Sequence, residues 1–279
     1  MNELKQPKVL IVILNYGTYD LTIKIIKDIK QYLDYNNYSV MVIDNCSPND
    51  SAQVLKEESK QLDFIFYANK KNTGYAAGNN IGIRYAIKNG FEYTWILNND
   101  VELREKNILK EMVSVAEENS KIACIGPEIY SLDKSICAPY CRRLSLYNMT
   151  IGCIFEKKYR KKHIGVSGEV YRVYGCCMLL RNEAMDKIKC MDERTFLYGE
   201  EDILAERILK GGYITFYDAS VSVTHKESSS MKRMSKNRKK MQIKENNKSL
   251  ELYLKEYRNF PWIARLLCRI TRSLIIYLR

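Results

Sequence analysis

The stretch WILNNDVEL, Trp95–Leu103, sets an apolar run against Asn98, Asn99 and Asp100 and then turns apolar again. A strand buried on both faces of a parallel sheet reads as a continuous apolar run bounded by turn residues. Three earlier runs end in the same way: LNYG closes the first, DNCSPND the second and NKKNTGYAAGNN the third. A single Asn or Asp at a strand end is ordinary turn chemistry. Four in succession mark a polar site, because ligands of open α/β sheets bind beyond the carboxyl ends of the strands.

The periodicity between these runs predicts β-α units on a mostly parallel sheet. KVLIVIL is a strand, and LTIKIIKDIKQYL places Leu21, Ile25, Ile26, Ile29 and Leu33 on one helical face. YSVMVID is the second strand; SPNDSAQVLKEES opens a helix with Ser47 as its cap and Pro48 in the first turn. DFIFYAN and YTWILNN are strands flanking the helix GYAAGNNIGIRYAIKNG, which ends at Gly90. Residues 127–170 carry scattered aromatic and basic side chains and no assignable period. Beyond them YRVYGCCMLLR reads as a buried strand, EEDILAERILKGGY as a helix closed by Gly211–Gly212, and YITFYDASVSVTH as strands ending on His225.

At 279 residues, 46% hydrophobic and 28% charged, the composition is that of a globular protein with one sizeable core and an appendage. The nine cysteines are odd in number, Cys176 and Cys177 are adjacent, and no C-x-x-C pair occurs, which fits a reducing compartment. CAPYC, with His163 downstream, lacks a fourth zinc ligand and reads as ordinary thiols. VLIVIL is too short for a signal core and leads into a polar turn, and no run approaches the ~18–20 apolar residues that span a bilayer. The net charge of +12 is not spread evenly. Residues 1–225 hold 30 Lys/Arg against 29 Asp/Glu, and residues 226–279 hold 15 against 4. Charge confined to a tail, with no basic-aromatic pattern in the body, argues against nucleic acid as a partner.

The polar strand ends suit a nucleotide. Asp44 offers a carboxylate to a base imide or ribose hydroxyls, and Gly74 and Gly78 let a ligand approach the backbone. Dinucleotide and ATPase readings lose ground, since no G-x-G-x-x-G follows the first strand and no G-x-x-x-x-G-K-[ST] occurs. Asp100 suits a divalent cation bridging two phosphates, a task for hard oxygen ligands.

Taken in order, VILNYGTYDLT, VIDNCSPNDS, NTGYAAGNNIGI, WILNNDVEL, GCCMLLR, FLYGEEDILAERILKGGY and VSVTH resemble the bacterial family 2 glycosyltransferases of the GT-A fold, in particular the rhamnosyltransferase-like branch. The resemblance implies a Rossmann-like α/β fold, a mostly parallel central sheet with flanking helices. It makes Asn15, Tyr16, Asp44, Asn72, Gly74, Asn79, Asn98 and Asn99 the nucleotide-sugar-binding set, with Asn15 and Asp44 near base and ribose and Asn72 and Asn79 shaping the donor pocket. NND takes the place of the family's D-x-D, so Asp100 and His225 are the implied ligands of Mg²⁺ or Mn²⁺. Asn98 replaces the first Asp, which removes one charge from that site, and His225 alone also reads as a structural residue. YGEEDIL corresponds to the segment supplying the catalytic base, within Glu200, Glu201 and Asp202. The family often reads E-D-x-D-L there, which leaves Glu201 or Asp202 as the base and favours Glu201 from its place after Glu200. A positioned carboxylate that deprotonates an acceptor hydroxyl is worth about 10²–10⁴ in rate. Acids at a helix start also suit the dipole.

The implied activity is inverting transfer of a sugar, from a dTDP-rhamnose or UDP-hexose type donor to a lipid-linked glycan acceptor of a surface polysaccharide such as O-antigen or capsule. Residues 1–225 are expected to form the GT-A domain, about 1–126 its nucleotide-sugar half and 127–225 its acceptor and catalytic half, with 226–279 a basic helical tail. In WIARLLCRITRSLIIYLR the residues Ile263, Leu266, Leu267, Ile270, Leu274 and Tyr277 share one helical face, and Arg265, Arg269, Arg272 and Arg279 line the other. That is the pattern of a basic amphipathic helix on an anionic membrane surface, placing a cytoplasmic protein peripherally on the inner face of the cell membrane. A helix packed on its own domain, or forming a homodimer, reads equally from the same pattern. The contrasting functional class is a non-catalytic nucleotide- or glycan-binding module on the same fold.

Overall fold

Both faces of the first apolar run are covered. Val9 to Ile13 are wholly inaccessible in strand β1 (Val9–Asn15), which explains why that run shows no alternation. The computed structural model describes residues 6–226 and 236–278. Helix α1 (Tyr19–Tyr32) turns Ile25, Ile26 and Ile29 onto the sheet and leaves Leu21 exposed. It is followed by β2 (Tyr38–Asp44), α2 (Ser51–Gln61), β3 (Ile65–Ala68), α3 (Gly74–Lys88) and β4 (Tyr93–Leu97). β1 pairs in parallel with β2 and with β4, and β2 with β3, so Asn15, Asp44 and the turn after Leu97 lie along one edge. α3 rides close to β1: a Cβ on Gly78 would lie 2.7 Å from Leu14 Cδ1, and one on Gly82 2.5 Å from Val12 Cγ2.

Ser47 does not cap α2. The helix begins at Ser51 with Asp50 at the cap position, leaving Pro48 outside it. Ser47 instead gives its N–H and hydroxyl to the Asp44 carboxylate, at 3.0 and 2.5 Å. A buried carboxylate without donors carries a larger penalty than an uncapped exposed helix end.

The second half completes the sheet with β5 (Val101–Leu103), α4 (Ile108–Glu118), β6 (Ile122–Ser131), α5 (Leu146–Met149), α6 (Cys153–Lys161), β7 (Gly168–Val170), β8 (Cys177–Arg181), α7 (Asn182–Lys187), α8 (Glu200–Lys210) and β9 (Ile214–His225). The strand order is β3-β2-β1-β4-β8-β6-β9-β5, with β7 also on β9. β8 runs antiparallel between β4 and β6; six of the nine strands (β1, β2, β3, β4, β6 and β9) point the same way. The strand expected over YRVYGCCMLLR is limited to Cys177–Arg181, because Tyr171 to Cys176 form a loop committed to contacts with α8. YITFYDASVSVTH is one strand whose register against β6 shifts between Pro127 and Glu128, where proline offers no N–H. None of the nine cysteines forms a disulfide.

The tail builds onto α8. Helix α9 (Lys236–Leu252), a π-helical turn at Tyr253–Tyr257 and α10 (Trp262–Leu278) follow in sequence. Tyr253, Leu254 and Cys268 pack on Ile203 of α8. Beside them the Tyr171 hydroxyl donates to Glu206 and lies 2.8 Å from that of Tyr253, while Arg143 grips the Glu206 carboxylate through two nitrogens at 2.7 and 2.6 Å. α10 turns its small residues Ala264 and Cys268 inward, and its large apolar residues point outward. Arg265 and Arg269 lie 2.7 and 3.7 Å from Glu251 of α9, and Arg279 lies outside the described residues. Among the described residues no helix is long and apolar enough to cross a membrane.

Candidate active site

At the strand ends the polar side chains hold one another. Asn15, fully buried, donates to Asp44 Oδ1 at 2.8 Å and to Ser47 Oγ at 3.2 Å, and its own oxygen accepts from the Thr22 hydroxyl at 2.9 Å. Asn99 braces the same corner, its amide reaching Thr18 Oγ1 at 2.9 Å and Thr22 Oγ1 at 2.8 Å. Asp44 is buried, with both oxygens turned to Asn15 and Ser47. Ser47 Oγ also accepts from the N–H of Gly17, a left-handed residue that follows exposed Tyr16.

A second hub is Asn45. Its amide nitrogen donates to Asn72 Oδ1 at 3.0 Å and to the Gly74 carbonyl at 3.1 Å, and its oxygen accepts from Asn69 and from the Thr73 N–H. Asn72 Oδ1 also accepts from the Gly74 N–H, closing the turn into α3. Gly74 has φ +83°, and a Cβ there would lie 2.7 Å from Phe196 Cα and closer still to its carbonyl oxygen. Asn79 is fully buried, donates to the Tyr75 carbonyl and leaves its Oδ1 without a partner. Asn80 staples α3 to the backbone of Met191.

Antiparallel pairing of β5 with β9 sets His225 opposite Val101 and beside Asp100. His225 Nε2 lies 3.2 Å from Asp100 Oδ1, which is buried and has no hydrogen-bond partner. Adjacent ligands on a six-coordinate cation with bonds of about 2.1 Å stand about 3 Å apart, so the pair fits two corners of such a site. No group of three or more His, Cys, Asp or Glu is placed to hold a metal among the described residues. Asp100 and His225 are the side chains here that would hold such a cation. Asn98 turns away: its N–H donates to the Cys176 carbonyl at 2.9 Å and its side-chain oxygen faces the Tyr75 hydroxyl at 3.4 Å.

The three acids open α8 behind two successive left-handed residues, Tyr198 and Gly199. Glu200 is buried with Oε2 unpartnered, and burial, followed by the neighbouring Glu201 charge, pushes its carboxyl up to about 8. Asp202 Oδ1 is paired with Arg172 Nε at 2.6 Å, and that guanidinium lies 3.4 Å from the Tyr140 ring centre. Glu201 Oε1 accepts one long bond, 3.3 Å, from the Gly175 N–H; a Cβ on Gly175 would come within 2.8 Å of that oxygen.

Tyr75 joins the parts. Its N–H donates to the Phe196 carbonyl ahead of α8, and its hydroxyl to the Gly175 carbonyl at 2.5 Å. Burial, then Glu201 and Glu200, raise its phenol well above the ordinary range. Tyr75, Ser47, Asn45 and Thr22 were missed in the sequence. Tyr75 sits inside the NTGYAAGNN motif, and Ser47 reads from the sequence as a helix cap; the other two carry only the signal of polar residues beside an apolar run.

A family model described as glycosyl transferase family 2 matches residues 9–189. The chain is 30% identical over 125 residues to the dTDP-rhamnosyl transferase RfbF of Shigella flexneri, covering 44% of this chain and 40% of that one. It is 24% identical over 162 residues to the low-salt glycan biosynthesis hexosyltransferase Agl10 of Haloferax volcanii, covering 58% and 50%. It thus spans about half the length of the curated relatives it matches. Among solved structures it is similar to the mannosyltransferase PcManGT from Pyrobaculum calidifontis in complex with GDP-Man and Mn²⁺ (TM-score 0.62, 13% identity, 97% of this chain and 70% of that one). GalNAc-T7 with UDP, GalNAc and Mn²⁺ gives a TM-score of 0.64 at 15% identity, over 97% and 55%. At such identities the likeness speaks to the fold, which is GT-A. Since the family model takes in well over half of the sequence, including β1 to β4 and the NND turn, this chain belongs to glycosyl transferase family 2.

Proposed function

We propose that this chain is an inverting glycosyltransferase, moving a sugar from a nucleotide-diphosphate donor of the dTDP-rhamnose or UDP-hexose type to a hydroxyl of a lipid-linked glycan in bacterial surface polysaccharide synthesis. The observation that carries the reading is the convergence, through Tyr75, of the Asn98–Asp100 turn, the loop into α3 and the acidic start of α8. In this reading residues 1–225 are the catalytic domain and 226–279 its tail. The nucleotide lies along the ends of β1, β2 and β4, beside exposed Tyr16 and the Asn72–Gly74 turn, with Asn15 and Asp44 as the rigid frame behind it.

Glu201 is the base. Glu200 is held mostly protonated at neutral pH, and Asp202 is committed to Arg172, so the carboxylate free to take a proton from the acceptor hydroxyl is that of Glu201. Asp100 and His225 would hold Mg²⁺ or Mn²⁺, which supplies charge neutralisation to the leaving diphosphate. Neighbours solved with Mn²⁺ and nucleotide-linked ligands support that assignment. The outward apolar face of α10 supports a peripheral position on an anionic membrane surface.

A donor panel with diphosphate release as the readout tests the whole reading. Release that depends on donor, acceptor and divalent cation is expected. Tight nucleotide binding without release under any pairing would favour a non-catalytic binding module instead.

A further inference from the structure

The nearly neutral body hides a charged block. Residues 142–162 contain seven Lys/Arg and a single acid, Glu156, which is paired with Arg142 at 2.8 Å. The same segment exposes large apolar side chains: Ile151 is 80% and Phe155 62% accessible. Leu146 and Met149, on the inner side of α5, join the cluster around Cys268, so the α5–α6 segment runs alongside α10. α10 in turn exposes Trp262, Ile263, Leu266 and Ile270, with Trp262 at 65%. Two elements distant in sequence, joined through that cluster, therefore both expose large apolar side chains, and both carry exposed basic residues, Lys157, Lys158 and Lys161 on α6 and Arg272 on α10.

We infer that α5–α6 and α10 form one composite docking face for an anionic lipid bilayer, with Ile151 and Phe155 entering the interface together with the outer face of α10. The inference rests on the membrane reading proposed above and extends it from the tail to the catalytic body. Charge decides the occupant. A second copy of this chain, docked two-fold on the same face, would bring two basic tails together, each with 15 Lys/Arg against 4 Asp/Glu, and two basic 142–162 segments. A surface of acidic headgroups over hydrocarbon matches both the basic and the apolar side chains. The face also lies behind α8, since Ile203 packs on Cys268, so the acidic start of that helix stays near the surface from which a lipid-linked acceptor arrives.

The test uses the full chain and vesicles of phosphatidylcholine, alone or with phosphatidylglycerol, in a sedimentation assay. The double variant Ile151→Ser, Phe155→Ser should lower partitioning onto phosphatidylglycerol vesicles at least tenfold while keeping the wild-type melting temperature and nucleotide affinity. Ile263→Ser, Leu266→Ser should do likewise, and the combined variant should stay in the supernatant. If the α10 variant detaches but the α6 variant binds like wild type, the tail reading survives and the composite face is refuted. If wild type ignores phosphatidylglycerol vesicles, both readings fall. If wild type is a dimer that these substitutions turn into monomers, the face belongs to a second copy and the inference is overturned.

Discussion

Replacing Gly74 with alanine should uncouple the donor loop from the acidic helix. At φ +83° an alanine backbone costs about 1–2 kcal/mol. The added Cβ would stand 2.7 Å from Phe196 Cα and 2.8 Å from its carbonyl carbon, where ordinary contact begins at 3.4 Å. The Phe196 backbone must therefore retreat, and the bond from the Tyr75 N–H to the Phe196 carbonyl, 2.9 Å, is lost at a further ~1 kcal/mol. The sum is about 2–3 kcal/mol, or a melting temperature lower by roughly 4–12 °C. Phe196 leads through Tyr198 and Gly199 into Glu200, so the shift is transmitted to the acids, and a displacement near 1 Å at reacting groups costs ~10²-fold in turnover. Gly90 is the control. It also has positive φ, +69°, but nothing lies within 4 Å of its added Cβ. Gly90→Ala should lose only the backbone term and keep full turnover. Scanning calorimetry and diphosphate release, measured on both variants, decide the matter: if Gly74→Ala matches Gly90→Ala in both, the contact with Phe196 does not position α8.

Asp100→Ala should leave the fold intact, abolish divalent-dependent turnover and weaken Mn²⁺ binding by calorimetry; full activity in chelator would contradict this. Glu201→Gln should reduce kcat by about 10²–10⁴ with the donor KM nearly unchanged, because the loss is confined to the transition state. Asp202→Asn, which breaks the 2.6 Å pair with Arg172, should show in the melting temperature before it shows in kcat; the reverse ranking would exchange their roles. For Glu200 the folded-state value is raised from 4.5 to about 8, so the folded protein holds a proton that the unfolded chain has released. Its contribution to stability is complete below about 4.5 and is lost as pH rises through 8. Glu200→Gln should flatten the decline in urea stability between about pH 4.5 and 8, and parallel profiles for wild type and variant would refute it.

The first half of the fold was legible because each element announces itself locally. Val9–Leu14 is apolar throughout, α1 repeats its apolar residues at helical spacing, and Gly90 stops α3 with φ +69°. The second half is governed by partners far away in sequence. Cys177–Arg181 looks like part of a longer strand until Arg172 and Gly175 are seen to serve Asp202 and Glu201. The 127–170 region has no period because Arg142 and Arg160 lie against tyrosine rings, an order that apolar patterning cannot register. At the site, Asn15, Asp44 and Asp100 were legible as polar residues ending strands. Asn45 and Tyr75 were not, since their importance lies in contacts across loops and leaves no spacing to read.

The insertion of β8 between β4 and β6 has a consequence for how the polypeptide is made. β4 emerges from the ribosome with only one neighbour available, β1, and its other edge must wait for Cys177–Arg181. At ~5–20 residues per second the 84 residues between Leu97 and Arg181 take roughly 4–17 s to synthesise. Throughout that interval a strand carrying Tyr93, Trp95 and Ile96, all buried in the finished molecule, presents an open apolar edge. Fragments that stop short of Arg181, including residues 1–126 alone, should therefore aggregate on expression and depend on chaperones, whereas chains that reach β8 can close their own sheet.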